Sequence, residues 1–303
     1  MADQPCGFLV LDKPAGLSSH ACVARVRRAY GLKRVGHGGT LDPAVTGVLP
    51  IALGPATRLL PYLGGDKAYR GVVQLGVTTS TDDLEGEVLE QRPVPALSVA
   101  DLAAALAPFL GASAQVPPQV SAVHVDGVRA YARVRRGESL ELAARPVMIH
   151  SLELLGWDPA SGRLELELRC SAGTYVRALA RDLGESLGCG GALAQLRRTE
   201  ALGFTLAQAL PLEALDAARE HAAPPPPLLD PLAPLAHLPH HRLNPEEQAG
   251  WRCGRAPQLP AALAELAPDT AVVMLDSDGN LAGMARAQDT GLLQPKLVFN
   301  AAG

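Results

Sequence analysis

The sequence predicts a large domain that mixes strands with helices, followed by a small all-β appendix, and three observations carry this. Residues 67–77 and 163–170 alternate apolar and polar positions with the two-residue period of strands. Residues 20–30 and 176–187 instead space their apolar positions three and four apart, the period of a helix packed on one face. The composition then shifts at Ala222-Ala223-Pro224-Pro225-Pro226-Pro227, a stiff proline run that suits a linker or a surface strap. The expected division is 1–236 for the large domain, with its linker at 222–236, and 237–303 for the appendix.

Composition bounds the rest. The chain has 303 residues, 48% of them apolar and only 19% charged, which is enough for a core and too little charge for a disordered chain. A net charge of −4 gives no global attraction to nucleic acid, so any such site must be a local patch. Cys6, Cys22, Cys170, Cys189 and Cys253 show no C-x-x-C spacing, and neither a disulfide framework nor a zinc site is expected. The start Met1-Ala2-Asp3-Gln4-Pro5 lacks a signal pattern, and no run approaches the ~18 apolar residues of a membrane helix. A soluble, cytoplasmic protein with no membrane contact is expected.

Taken in order, 7–12 reads as a strand ended by Lys13-Pro14-Ala15-Gly16. Ser18 and Ser19 are N-cap residues for the helix 20–30, which carries Arg25, Arg27 and Arg28 away from Val23 and Val26. The strand 67–77 puts Tyr69, Gly71, Val73, Leu75 and Val77 on one face, and the polar turn 78–86 follows. That turn has too few acids, wrongly spaced, for a calcium loop, and Asp83 is expected to accept hydrogen bonds or pair with an arginine. A modest helix at 102–110 precedes an Asp126-Gly127 hairpin signal. Arg129, Arg133, Arg135 and Arg136 then stand against a single Glu138, a basic segment about 124–145. It fits a solvated helix face as well as a lobe that grips a polyanion. The strand 163–170 runs into a helix whose stripe is Val176, Leu179, Ala180, Leu183 and Leu187, with Arg177 off the stripe. A short apolar piece, 192–198, comes next. In the appendix, 271–275 and 281–284 flank an Asp278-Gly279 turn and read as a hairpin.

The chain is organised around the stretch 35–50, Val-Gly-His-Gly-Gly-Thr-Leu-Asp-Pro-Ala-Val-Thr-Gly-Val-Leu-Pro. Asp42 ends 28 acid-free residues, Pro14 to Leu41, that hold Arg25, Arg27, Arg28, Lys33 and Arg34. Glycines around it permit unusual dihedrals, and Pro43 stiffens the turn. Turn chemistry alone explains each of these residues. The same string, however, closely resembles the catalytic motif of the TruB family, the bacterial pseudouridine synthases that act on the T-loop uridine, position 55 of tRNA. Further stretches agree in order: Asp12-Lys13-Pro14-Ala15-Gly16-Leu17-Ser18-Ser19, Lys67-Ala68-Tyr69-Arg70, 79–86, 117–122, Gly173-Thr174-Tyr175-Val176-Arg177 and Leu196-Arg197-Arg198. The resemblance spans roughly 7–205.

The resemblance implies an α+β catalytic domain around a mixed, mainly antiparallel sheet, with a C-terminal PUA-like barrel. It implies that Asp42 is the nucleophile, that Arg177 pairs with it, and that Tyr69 stacks on the flipped base. His37 would pack against displaced nucleotides, Tyr175 and Leu196 would help form the uridine pocket, and Lys13 and Pro14 would support it. The segment 124–145, with Arg129, Arg133, Arg135 and Arg136, would be the RNA-gripping lobe. The partner implied is tRNA through its T-stem-loop, bound by a monomer that requires no protein partner. Read by themselves, Tyr69 fits a packed core residue and His37 a turn residue.

The implied chemistry suits the residue types. The reaction breaks N1–C1′ and joins C5 to C1′, so substrate and product are isomers and no cofactor, ATP or metal is demanded. An ionised carboxylate in a water-poor pocket is demanded. Burial would raise its pKa, and a neighbouring guanidinium would hold it charged. Three other readings stay open at this point: an RNA chaperone of the same fold, a synthase acting on another RNA, and a small-molecule hydrolase with an Asp nucleophile.

Overall fold

The structure is a computed structural model and describes residues 5–299 apart from 122, 126, 135, 139, 221 and 222. Strand β1 (Gly7–Lys13) is buried on both faces, which is why its sequence is a continuous apolar run rather than an alternating one. Leu9 and Leu11 join one core cluster, while Phe8 and Val10 join another. Helix α1 (Ser19–Tyr30) starts where the Ser18 side chain accepts the Ala21 N–H, and it ends at Gly31, whose φ is 63°. It buries Cys22, Val23 and Val26 and leaves Arg27 and Arg28 at its electronegative end. Strands β2 (Val35–His37) and β3 (Thr46–Leu53) then pair antiparallel across the glycine turn, Val35 opposite Leu53.

Strand β4 (Lys67–Leu75) alternates as expected, but it stops at Leu75 because Gly76 turns with φ 86°. Val77 belongs to a separate two-stranded ribbon of β5 (Val77–Thr79) and β6 (Val88–Gln91). Helix α2 (Val99–Leu106) begins earlier than its apolar pattern, at a capping box made by Ser98 and Asp101, and gives way to a 3₁₀ turn at Ala107–Phe109. Strand β7 (Gly111–Gln115) leads to the basic segment. This contains the short hairpin β8 (His124–Val125) and β9 (Val128–Arg129), then helix α3 (Ala130–Val134). Asp126 of the hairpin signal and Arg135 lie outside the described residues.

The longest strand, β10 (Arg145–Asp158), pairs with β11 (Arg163–Cys170). After helix α4 (Val176–Ser186), the piece read as 192–198 is a strand, β12 (Gly191–Ala201). Its period is hidden by a register shift between Leu193 and Gln195. Strands β13 (Phe204–Thr205) and β14 (Leu210–Pro211) and helix α5 (Glu213–Glu220) complete this part.

These strands build one mixed sheet in the order β14-β1-β3-β12-β4-β11-β10-β7, with β2 beside β3 and β13 beside β12. Among the described residues of this sheet, β1–β14 and β3–β12 pair parallel and the other pairs antiparallel. Helices α2 and α4 cover one core against β4, β11 and β12, and α1 packs on a second with α5. The architecture is α+β around a mixed sheet.

Beyond residue 237 come β15 (His240–Arg242), α6 (Pro245–Arg252), β16 (Ala271–Leu275), β17 (Leu281–Ala287) and β18 (Leu293–Val298). The hairpin expectation matches β16 and β17, but the appendix is not all-β. Its core is closed by α6, whose Trp251 is buried and donates to the Ala282 carbonyl at 2.9 Å. Among the described residues its sheet is four-stranded, ordered β15-β16-β17-β18, and does not close into a barrel. Val273 and Met284 pack in one cluster with Phe8, Val10 and Phe204, so the appendix shares a core with the main sheet.

Candidate active site

Asp42 sits in the turn between β2 and β3, and that turn is held from several sides. The Ser19 hydroxyl both accepts from the Leu41 N–H (2.9 Å) and donates to the Leu41 carbonyl (3.1 Å). Pro43 O receives the Gly16 N–H at 2.9 Å and the Lys13 ammonium at 3.0 Å. Lys13 is fully buried and also donates to the carbonyls of Pro14 and Leu17. Desolvation lowers its pKa, with the nearby charges of Cys22 and Asp42 acting the other way. The main chain on both sides of Asp42 is thereby fixed, and Val45 N–H caps its carbonyl at 3.1 Å. Only the carboxylate is left to face outward.

It faces Arg177. Nη2 of Arg177 lies 3.0 Å from Asp42 Oδ2 and donates to Val120 O at 2.9 Å. Nη1 donates to Thr81 O at 2.9 Å and lies 3.5 Å from Asp83 Oδ2. The side chains of Arg177 and Asp42 are 9% and 47% exposed, so the buried member of the pair is the guanidinium. The water-poor surroundings expected for the aspartate are absent in this structure. Four acceptors from three segments satisfy the buried cation, as a charge taken out of water requires. Arg177 was expected off the helix stripe, toward a cleft or solvent; it lines a cleft, with its side chain almost fully covered.

The cleft holds about 800 Å³ and is lined by Asp42, Arg177, Asp83, Thr46, Gln195 and Leu196, among others. Asp83 is itself held, since Oδ1 accepts from Thr81 Oγ1 at 2.6 Å and from the Glu85 N–H at 3.1 Å. The adjacent Asp82 takes a φ of 60° and pairs with Arg181, one helical turn beyond Arg177, at 2.9 Å. Two consecutive aspartates thus lock onto two arginines of α4.

The other expected residues fall around this cleft rather than in its wall. Tyr69 is 6% exposed and packs in the core cluster beneath β4; burial pushes its hydroxyl up to about 12, against the opposing charge of Arg198. His37 stands edge-on to His20, with ring centroids 5.5 Å apart, and its Nδ1 is buried without a hydrogen-bond partner. Burial lowers its pKa, and His20, Arg198 and Arg129 add to the effect. Tyr175 is the N-cap of α4, where the Gln115 amide accepts its N–H at 2.8 Å and donates to its carbonyl at 3.1 Å. In the basic segment Arg129 and Arg136 are exposed, and Arg133 pairs with Glu138 at 2.6 Å. Among the described residues no three His, Cys, Asp or Glu side chains are grouped to hold a metal, and no helix is long and apolar enough to cross a membrane.

Comparison with known proteins places the chain in a family. Residues 27–176 match the N-terminal domain of the TruB family of pseudouridylate synthases, and 177–236 match the C-terminal domain described as that of tRNA pseudouridylate synthase B. The tRNA pseudouridine synthase B of Parasynechococcus marenigrum (strain WH8102) is 63% identical over 99% of this chain and 100% of its own length. That of Synechococcus sp. (strain WH7803) is 61% identical over 99% of each. The chain belongs to the TruB family.

Solved structures extend the fold of this TruB-family chain. A Cbf5-Nop10-Gar1 complex contains a chain that superposes with a TM-score of 0.73 at 22% identity, covering 96% of this chain and 84% of that one. An H/ACA ribonucleoprotein bound to a substrate RNA containing 2′-deoxyuridine gives 0.71 at 22%, covering 97% and 84%. Some residues that hold the candidate site escaped sequence reasoning. Ser19 was read as a helix cap and instead pins Leu41. Gln115 carried no signal. Arg198 was quoted only as part of a motif, yet it is fully buried and donates to Val48 O at 2.8 Å and Gly39 O at 3.1 Å. The signal available for it was two adjacent arginines on a chain poor in charge.

Proposed function

We propose that this chain isomerises the T-loop uridine of tRNA, position 55, to pseudouridine, with Asp42 as the nucleophile. The observation that carries the reading is the Asp42 carboxylate held 3.0 Å from a buried Arg177 at the wall of an open cleft. The near full-length identity to relatives named tRNA pseudouridine synthase B supports the substrate. Asp42 attacks the sugar or the base, N1–C1′ breaks, the uracil turns, C5 bonds to C1′, the bond to Asp42 breaks to return the free carboxylate, and the C5 proton leaves while N1 gains one. Arg177 balances the charge of the carboxylate and keeps it aimed when the entering base displaces water from around it.

Tyr69 supplies a stacking face worth about 1–3 kcal/mol, against the few kcal/mol needed to unstack the base. Because Tyr69 is covered, stacking requires the neighbouring side chains to yield as the base enters. Tyr175 and Leu196 shape the pocket, Lys13 and Pro14 support it, and His37 packs where nucleotides are displaced. Arg129, Arg133, Arg135 and Arg136 contact the RNA backbone from the 124–145 lobe. Residues 1–236 act as the catalytic domain and 237–303 as a PUA-like RNA-binding domain. The enzyme works in the cytoplasm as a monomer, without a protein partner or a cofactor.

The test is incubation of unmodified tRNA with wild type and Asp42→Asn, followed by mass spectrometry and reverse-transcription mapping. Pseudouridine at the T-loop uridine with wild type only, and tRNA affinity within a few-fold for both, is the expected result. Turnover by Asp42→Asn would remove Asp42 from its role, and product at another position would remove the substrate.

A further inference from the structure

Beside the Asp42 turn lies a second buried guanidinium that the chemistry above does not use. Arg198 is fully buried; Nε and Nη2 reach the carbonyls of Val48 and Gly39, but among the described residues Nη1 has no hydrogen-bond partner. Gly39, with φ 105°, leaves open the space a side chain would start to fill. A Cβ placed there would lie 3.5 Å from Arg198 Nη1 and 3.7 Å from the Lys67 ammonium. Two cationic nitrogens therefore converge on one small space over the glycine.

Among the described residues no carboxylate compensates them. Asp66, next to Lys67, is turned to His150 at 3.3 Å and Arg169 at 3.9 Å, and Glu200 is taken by Arg169 at 2.6 Å. Asp42 is taken by Arg177. Burial lowers the pKa of both cations, and the charge of Arg198 lowers that of Lys67 further. The groups that oppose this are Cys170 beside Lys67 and Tyr69 beside Arg198, Tyr69 also through a hydrogen bond with the guanidinium; burial pushes the two up to about 11 and about 12, so neither supplies a full negative charge at neutral pH. Buried cations without a counter-charge are costly, and a ligand oxyanion is the partner that would remove the cost.

We propose that Lys67 and Arg198, converging over Gly39, form a binding subsite for one phosphodiester of the RNA substrate beside the target nucleotide. This rests on the reading of the substrate as RNA. Lys67 is only partly covered and has a flexible stem, so it meets the phosphate first and moves with it over the guanidinium. The subsite would fix the backbone of the flipped nucleotide at the turn that carries Asp42, and so would set the approach of sugar to carboxylate.

The experiment measures binding of wild type and Lys67→Met to a series of T-stem-loop RNAs, each with one phosphodiester near the target replaced by an uncharged methylphosphonate. Wild type should lose about tenfold in affinity at one position. Lys67→Met should bind the native RNA about tenfold more weakly, lose nothing further at that position, and show a salt slope shallower by about 0.7–0.9. Lys67 is used because Arg198→Met, in the core, risks misfolding; thermal melting checks the Lys67 variant. Native affinity for Lys67→Met, or equal losses for both proteins at every position, would overturn the subsite. Competition by inorganic phosphate with no position effect in RNA would assign the cradle to a free anion and overturn it as well. Failure of wild type to bind any T-stem-loop RNA would overturn the functional reading together with the subsite.

Discussion

Asp42 and Arg177 divide the work of an ion pair unevenly. The carboxylate is half in water, where an ion pair contributes little, whereas the guanidinium is almost fully covered and needs every acceptor it has. Replacing Arg177 with methionine leaves Asp83 and two carbonyls without their donor, and should lower stability by roughly 3 kcal/mol. Arg177→Lys should fold better but still lose activity by about 100-fold or more, because one ammonium cannot span Asp42, Asp83, Thr81 O and Val120 O in the planar fork they were built around. Thermal melts and single-turnover rates separate the two effects; near wild-type rates for the lysine variant would mean that charge alone suffices. Asp42 and Arg177 could be read from the sequence because each lies in a short motif. Ser19 with Leu41, Gln115 with Tyr175 and Arg198 with Gly39 could not, since these partners are 22, 60 and 159 positions apart and nothing local announces them.

At the scale of elements, β3 is the strand on which the site depends, and Gly47 is its tightest point. It pairs with Lys13 of β1 on one side and Arg198 of β12 on the other. Its φ is 101°, and an added Cβ would lie 2.1 Å from the Arg198 carbonyl. Gly47→Ala should therefore cost roughly 2–4 kcal/mol, through both the backbone conformation and the clash. A denaturant midpoint within error of wild type would show that the strands part more easily than this spacing suggests. Strands with one open face, β4 and β11, were legible through their alternation. Strand β3 was not, because it is buried on both faces and carries Gly47 and Pro50, residues that signal turns. Strand β10 gave no reading at all, its 14 residues being interrupted by register shifts at 149–151 and 154–156.

The whole molecule is less modular than its proline run implies. The composition shift suggested an appendix on a linker, but Val273 and Met284 are fully buried against Phe8, Val10 and Phe204 of the main sheet. Burying a side chain of this size contributes about 1.5–3 kcal/mol. A chain cut after residue 236 should accordingly lose several kcal/mol and melt at a lower temperature, and the full chain should melt in one transition rather than two. Two well-separated transitions, with the first 236 residues unaffected by the cut, would count against the shared core. The proline run suggested a linker from composition alone; what composition could not show is that the residues beyond it share a core with the main sheet.

The placement of β1 bears on how the chain reaches this state. One edge of the first strand is completed by Leu210 and Pro211, and Phe8 exchanges main-chain hydrogen bonds with Leu229. Phe8 and Leu229 are 221 positions apart. At a synthesis rate of about 5–20 residues per second, the first strand waits roughly 10–45 s for the segment that closes it. During that interval one edge of an apolar strand, Phe8 to Leu11, stays open to whatever the emerging chain meets, the other being paired with β3. The molecule therefore cannot mature from its N-terminus forward, and a ribosome that stalls before residue 229 displays an unfinished sheet.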